Sequence, residues 1–219
     1  MNRSRQRKRR RRIQLYTRVG CFIILFILVG IGGFKVYEKS PWNKRYSERT
    51  GQAVDKMQPE IQVELLTINP HSRPGIKTER IRGIVIHYTA NPGSTAMQNR
   101  NYFEGLKDTG ATDASSHFIV GLEGEIVQCV PTWEVAYASN RRNSDTVSIE
   151  TCHLTEEGTY TEETYESMVQ LTAWLCKKFD LTEKDIIRHY DITGKICPKY
   201  FVDNEEAWEQ FKADVRGKL

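Results

Sequence analysis

Arg188-His-Tyr-Asp-Ile-Thr-Gly-Lys-Ile-Cys-Pro-Lys-Tyr-Phe201 is the stretch on which the reading of this chain turns. It places an imidazole (His189), a carboxylate (Asp191), an ammonium (Lys195) and a thiol (Cys197) within nine residues. Ile186 and Ile187 deliver the chain into it as a short apolar strand, and Gly194 and Pro198 mark it as a loop. Loops held by a rigid strand are common places for chemistry. A second imidazole, His87, ends another apolar strand over residues 81–86. Two histidines and a cysteine are three good zinc ligands, and they leave a fourth position open for water or substrate, as in a catalytic site and not a structural one.

Outward from that stretch, strand and helix patterns alternate. Residues 116–121 and 125–130 read as strands around Leu122-Glu-Gly-Glu, a hairpin signal. Residues 145–152 read as a further strand, with Val147 and Ile149 facing one way and Ser148 and Glu150 the other. Ser94 or Thr95 can cap a helix to about Lys107, with Met97, Tyr102, Phe103 and Leu106 on its inner face. Thr161 caps a long helix whose apolar positions, from Tyr165 to Phe179, follow the 3.6-residue period. A last helix from Asn204 shows Ala207, Trp208, Phe211 and Val215 on one face. The pattern predicts an α/β (α+β) fold: a single domain with a central mixed β-sheet flanked by helices.

The amino-terminal part has a different character. The chain holds 32 Lys and Arg against 28 Asp and Glu, but ten of the basic residues and no acid lie in residues 1–35. The remainder therefore carries 22 against 28, a net of −6, and the excess of positive charge belongs to the tail. A run such as Arg7-Lys-Arg-Arg-Arg-Arg12 suggests nucleic acid when taken alone. The next segment argues otherwise: Val19 to Phe34 is sixteen residues without a charge, and Val36 and Tyr37 extend it past Lys35. A span needs about 20 residues, and Arg18 and Lys35 can snorkel to cover the shortfall. Residues 1–18 are thus expected to be a basic cytoplasmic tail, 19–37 a transmembrane signal-anchor, 38–65 a polar stalk and 66–219 the catalytic domain. A cleaved signal peptide is the alternative, but no Ala-x-Ala-like cleavage site is evident.

Of five cysteines, Cys21 falls in the apolar segment, and using Cys197 as a ligand leaves Cys129, Cys152 and Cys176, an odd number. That is a poor disulfide framework, so these three read as buried thiols. An external domain without such a framework suits a Gram-positive bacterium.

Each candidate has a plainer reading. A histidine at the end of an apolar strand is more often a hydrogen-bonded edge residue than a ligand. Glu150 on an alternating strand is commonly a solvated charge; its functional reading is a general base beside a metal. Asp191 suits a hydrogen bond that holds His189 or its loop. His71 reads as an exposed loop residue, His153 as a surface residue, and Trp133, Trp174 and Trp208 as core or rim.

Together these residues resemble the zinc-dependent N-acetylmuramoyl-L-alanine amidases of the type 2 family, relatives of peptidoglycan recognition proteins and some phage lysozymes. The resemblance covers about residues 66–219 and is most specific at His189-Tyr-Asp-Ile-Thr-Gly-Lys-Ile-Cys-Pro198, with Ile86-His87-Tyr-Thr-Ala90, Ser116-His-Phe-Ile-Val120 and Val147-Ser-Ile-Glu150 in the matching order. Asn91-Pro-Gly-Ser-Thr95 and Ala136-Tyr-Ala-Ser-Asn-Arg-Arg-Asn143 look like a branch common in Firmicutes. The resemblance implies Zn2+ held by His87, His189 and Cys197, Glu150 as the base and Lys195 steadying an oxyanion. His117, Asp191, Tyr88, Tyr137 and Asn143 would support the ligands or line the substrate groove. Two departures stand out. Ser116 occupies a position where some members carry Tyr, which leaves the base role to Glu150. Ala136-Tyr-Ala-Ser139 stands where many members have Trp-His-Ala-Gly, which gives Tyr137 the place of that His. The implied substrate is peptidoglycan, cut between N-acetylmuramic acid and L-alanine by a monomeric domain outside the cell membrane, with no nucleic-acid partner. A binding module, a zinc peptidase acting within the stem peptide and a tethered structural protein are the competing readings.

Overall fold

The computed structural model describes residues 54–219. The expected basic tail and signal-anchor, and residues 38–53 of the expected stalk, lie outside the described residues. Among the described residues, no helix is long and apolar enough to cross a membrane. The domain occupies residues 56–219.

Its frame is a six-stranded sheet of strands β1 (Gln62–Val63), β2 (Gly83–Tyr88), β3 (Phe118–Val120), β4 (Ile126–Gln128), β5 (Thr146–Thr151) and β6 (Ile186–Arg188). The order across it is β1-β4-β3-β5-β2-β6. Only β3 and β4 pair antiparallel, as the hairpin signal predicts; every other neighbouring pair is parallel, so the sheet is mixed. Gly124 at the hairpin tip has φ 81, and a Cβ there would come within 2.9 Å of the Glu163 carbonyl oxygen, so both conformation and space require glycine.

Two helical layers cover the sheet. Helix α1 (Ala96–Thr109) packs on β3 and β4, and α2 (Glu162–Phe179) packs on β2 and β3 with α5 (Glu205–Gly217) behind it. Two short helices, α3 (His189–Thr193) and α4 (Lys199–Asp203), lie between β6 and α5. Thr95 caps α1 through a reciprocal pair with Gln98, and Thr161 caps α2; each such cap is typically worth about 1 kcal/mol. Leu171 to Cys176 are buried all round the helix because α2 lies between sheet and helix. Phe118 meets Trp174 edge-on at 6.4 Å, while Phe201 of α4 packs against Trp208 and Phe211 of α5.

Several local expectations shift. The inner face of α1 is Ala96, Asn99, Phe103 and Leu106, whereas Met97 and Tyr102 are exposed. Asn99 replaces them inside because its amide is satisfied by Ser94 Oγ and the Thr95 carbonyl. The strand expected at 116–121 begins only at Phe118, since the Ser148 N–H donates to the His117 ring instead of extending the ladder. Strand β2 runs on to Tyr88 and takes His87 inside it. Gln62 and Val63, expected in the stalk, pair with β4; a two-residue strand has no readable period. The stretch at 188–201 is mostly helical, with α3 and α4 separated by a short loop.

Candidate metal centre

The site forms where parallel strands end, the usual place for ligands in an open α/β sheet. His87 and Glu150 are the penultimate residues of β2 and β5 and lie in register. Register and alternation put Ile86, Ile149 and Phe118 on the face covered by α2, and His87, Glu150 and Ile119 on the opposite face. His189 follows directly on β6 as the first residue of α3. Gly194 ends that helix at φ 79, and the chain turns back so that the Tyr190 N–H donates to the Cys197 carbonyl at 2.9 Å.

These turns bring His87, His189 and Cys197 together. One ligand atom from each lies within 4.8 Å of the others, and all three residues are buried. His87 Nδ1 is 3.8 Å from Cys197 Sγ, and the two imidazole centroids are 4.7 Å apart. The remote ring nitrogens are engaged: His87 Nε2 lies 3.3 Å from Ser139 Oγ, and His189 Nε2 lies 2.7 Å from Asn140 Oδ1. Thr151 Oγ1 donates to the His87 carbonyl at 2.7 Å.

Burial sets the protonation of the cluster. It holds both imidazoles below their usual range, with His189 and Lys195 adding to the effect on His87, and Lys195 adding to that on His189. It pushes the Cys197 thiol up to about 12, helped by Glu150 and opposed by the Tyr88 N–H and Lys195. Glu150 is pushed up to about 8 by burial, against the pull of Lys195, and its Oε2 is buried without a hydrogen-bond partner. Glu150 is therefore not the solvated surface charge of its plainer reading. A cleft of about 360 Å³ opens onto these groups, and Tyr88, Tyr137, Asn140, Asn143 and Lys195 also line it.

The other expected residues divide by position. His117 does not line the cleft, although its charge would oppose protonation of His87; its Nδ1 accepts from the Ser148 N–H at 3.0 Å and its Nε2 lies 2.9 Å from the Glu134 carbonyl. Asp191 does not touch the His189 ring; it accepts from the Arg188 N–H at 2.8 Å and pairs with the Arg188 guanidinium, so it holds the loop. Asn143 accepts from the Ala138 and Ser139 N–H groups and shapes the segment that carries Ser139. His153, expected from sequence at the surface, is buried: its Nδ1 bonds the Thr155 carbonyl and the Tyr88 ring covers it. His71 is half-buried and pairs with Asp113 at 2.9 Å. Trp174 and Trp208 are core residues and Trp133 is exposed. Sequence reasoning misses Ser139 and Asn140 as ring partners; their signal lies in the Ala136–Asn143 run, where Tyr137 is the more conspicuous residue.

Residues 77–200 match the family described as N-acetylmuramoyl-L-alanine amidase (Amidase_2), and the chain belongs to that family. The relative named N-acetylmuramoyl-L-alanine amidase CwlL, from Bacillus licheniformis, is 35% identical over 165 residues, which are 69% of this chain and 45% of that protein. The relative named N-acetylmuramoyl-L-alanine amidase BlyA, from Bacillus subtilis, is 33% identical over 175 residues, 70% of this chain and 46% of that protein. The chain thus spans less than half the length of these curated relatives. Among solved structures, a mutant endolysin from Bacillus subtilis aligns with a TM-score of 0.61 at 24% identity, covering 72% of this chain and 99% of that one. PlyL aligns with a TM-score of 0.63 at 21% identity, covering 74% and 99%. At these identities the likeness is one of fold.

Proposed function

We propose that this chain is a zinc-dependent hydrolase that cleaves the amide bond between N-acetylmuramic acid and L-alanine in bacterial peptidoglycan. The observation that carries the proposal is the meeting of His87, His189 and Cys197 beside a half-buried carboxylate and an ammonium in one cleft. Membership of the amidase family supports the choice of bond.

The donor set suits zinc. Both imidazoles are kept neutral by burial, as ligation requires, and each has its remote nitrogen engaged. Burial and Glu150 favour the protonated Cys197 thiol, outweighing Lys195, and a metal cation bound there would favour the thiolate. Bound by these three residues, zinc would supply Lewis acidity to polarise the scissile carbonyl and acidify a water.

The rest of the chemistry belongs to the side chains. Glu150 accepts a proton as water attacks the lactyl carbonyl, and returns it to the departing L-alanine amine. Burial raises the proton affinity of the carboxyl and Lys195 opposes the rise, which suits a group that takes up and gives back a proton. The Lys195 ammonium faces the negative charge that builds on the carbonyl oxygen; loss of one such donor typically costs about 100- to 1000-fold in rate. Tyr88, Tyr137 and Asn143 line the cleft where the substrate would lie.

Residues 19–37 act as an uncleaved anchor, with the nine basic residues before them in the cytoplasm and the catalytic domain outside the membrane of a Gram-positive cell. Cutting is then confined to wall close to the cell's own membrane. Recovery of the catalytic domain from culture supernatant without its anchor would oppose this placement. The activity is tested on full-length protein in detergent, wild type beside Cys197→Ala, by zinc content and mass spectrometry of digested muropeptides. The expected result is about one zinc per chain and stem peptides with a free L-alanine amino terminus from the wild type alone. New termini inside the stem would identify a peptidase, and zinc without cleavage would identify a binding module.

A further inference from the structure

The two imidazoles of the cluster are held by adjacent residues of one loop. Asn140 Oδ1 lies 2.7 Å from His189 Nε2, and Ser139 Oγ lies 3.3 Å from His87 Nε2. An amide oxygen can only accept, so the hydrogen bond to Asn140 puts the His189 proton on Nε2 and leaves Nδ1 bare. His87 Nδ1 faces Cys197 Sγ at 3.8 Å while Nε2 faces Ser139; that hydroxyl can donate or accept, so it aims the His87 ring without choosing its tautomer.

The loop is built to hold this position. Asn143 Oδ1 accepts from the Ser139 N–H at 2.6 Å and from the Ala138 N–H at 3.2 Å. Arg141 Nη1 donates to the Ile192 carbonyl at 2.9 Å, tying the loop to α3, the helix that begins with His189. Asn140 sits at φ 51, in the left-handed region that few residues other than Gly, Asn and Asp enter readily. Such a conformation persists where the surroundings fix it, and here it aims the amide at the ring.

We propose that Asn140 and Ser139 are positioning residues: Asn140 fixes the tautomer and orientation of His189, leaving its Nδ1 free for the metal, and Ser139, the weaker partner, holds the orientation of His87. The proposal rests on the zinc reading for what that Nδ1 binds, but the tautomer can be observed without metal.

The test uses full-length protein in detergent and compares wild type, Ser139→Gly, Asn140→Gly and Asn140→Asp. Glycine keeps the left-handed backbone at 140, so the deletion removes the amide without straining the loop. Two quantities are read: imidazole 15N shifts of the metal-free protein, and zinc affinity by competition with a chelator. Wild-type His189 is expected as the Nε2–H tautomer. Asn140→Gly is expected to mix the tautomers and weaken zinc binding about 10- to 100-fold, with a smaller loss for Ser139→Gly. Asn140→Asp, which keeps an acceptor, should restore both readouts. Unchanged zinc affinity in Asn140→Gly, an Nδ1–H tautomer at wild-type His189, or failure of Asn140→Asp to restore binding would each overturn the proposal. A wild type that binds no zinc refutes the zinc reading instead, and the metal-free tautomers still decide whether the clamp exists.

Discussion

Glu150 and His87 are direct register partners on the parallel strands β5 and β2, so their side chains leave the sheet on the same face. The carboxylate is thereby held next to a candidate ligand by the backbone ladder itself. Its Oε2 is buried without a partner, a costly arrangement in a molecule that otherwise satisfies most buried polar groups. A group kept in that condition beside a cleft is a strong candidate for proton transfer.

Glu150→Gln should therefore remove turnover without disturbing the cluster. The amide has nearly the same shape but cannot take a proton, so muropeptide release should fall by about 10²- to 10⁴-fold. Zinc content should stay at the wild-type level. Activity within a few-fold of wild type would take Glu150 out of the mechanism.

Removing metal should soften the domain. His87, His189 and Cys197 come from two separate parts of the chain, the end of β2 and the segment after β6, and binding that needs all three stabilises only the folded state. The melting temperature of the zinc-loaded protein is expected to fall on chelation and recover when zinc is returned. Cys197→Ser should melt at nearly the same temperature with and without added zinc. A chelator-insensitive wild type would mean that the cluster holds no ion.

Much of this site is legible in the sequence because its residue types are unusual for their settings. His189, Lys195 and Cys197 crowd into one short stretch, whereas Glu150 keeps the polar phase of an alternating strand and only the register sets it beside His87. Asn140 is not legible, because its part depends on a left-handed backbone that an Asn-Arg-Arg run does not announce. His153 misleads for a related reason: the Tyr88 ring and the Thr155 carbonyl that bury it are supplied by tertiary packing and a local turn, not by a period. The α1 face differs from its expected one because a buried Asn looks wrong until Ser94 and Thr95 are seen to satisfy it.

Arg188 should prove structural. Its guanidinium, 9% exposed, pairs with Asp191 at 2.9 Å and Glu205 at 2.6 Å and donates to the Phe201 carbonyl at 3.0 Å. It thus fastens α3, α4 and the start of α5 around the segment that carries His189 and Cys197. Removing one partner of a buried pair costs roughly 3–5 kcal/mol, and the exposure of Glu205 reduces that here. Arg188→Met is expected to lower stability by about 2–3 kcal/mol in denaturant titrations and to weaken zinc binding. Wild-type stability would show that packing alone holds this segment.

His117 should make the metal-free protein sensitive to acid. Its ring is fully buried between the Ser148 N–H and the Glu134 carbonyl, and burial lowers its pKa to about 4, against a smaller upward pull from Glu134. The unfolded chain takes up the proton near 6.5, well before the folded one does, so between those values the unfolded state binds more protons. Stability from this residue is complete above about pH 6.5 and is lost as the pH falls toward 4. The total at stake is up to about 3 kcal/mol. His87 and His189 shift in the same direction, so the measurement is a difference: denaturant unfolding of zinc-free wild type and zinc-free His117→Gln, each at neutral pH and again near the acid end of the window. The variant should be less stable at neutral pH, because glutamine cannot reproduce both bonds, but it should lose less on acidification. Parallel losses in the two proteins would mean that His117 takes up no extra proton on unfolding, and that the acid sensitivity belongs to the metal-site imidazoles.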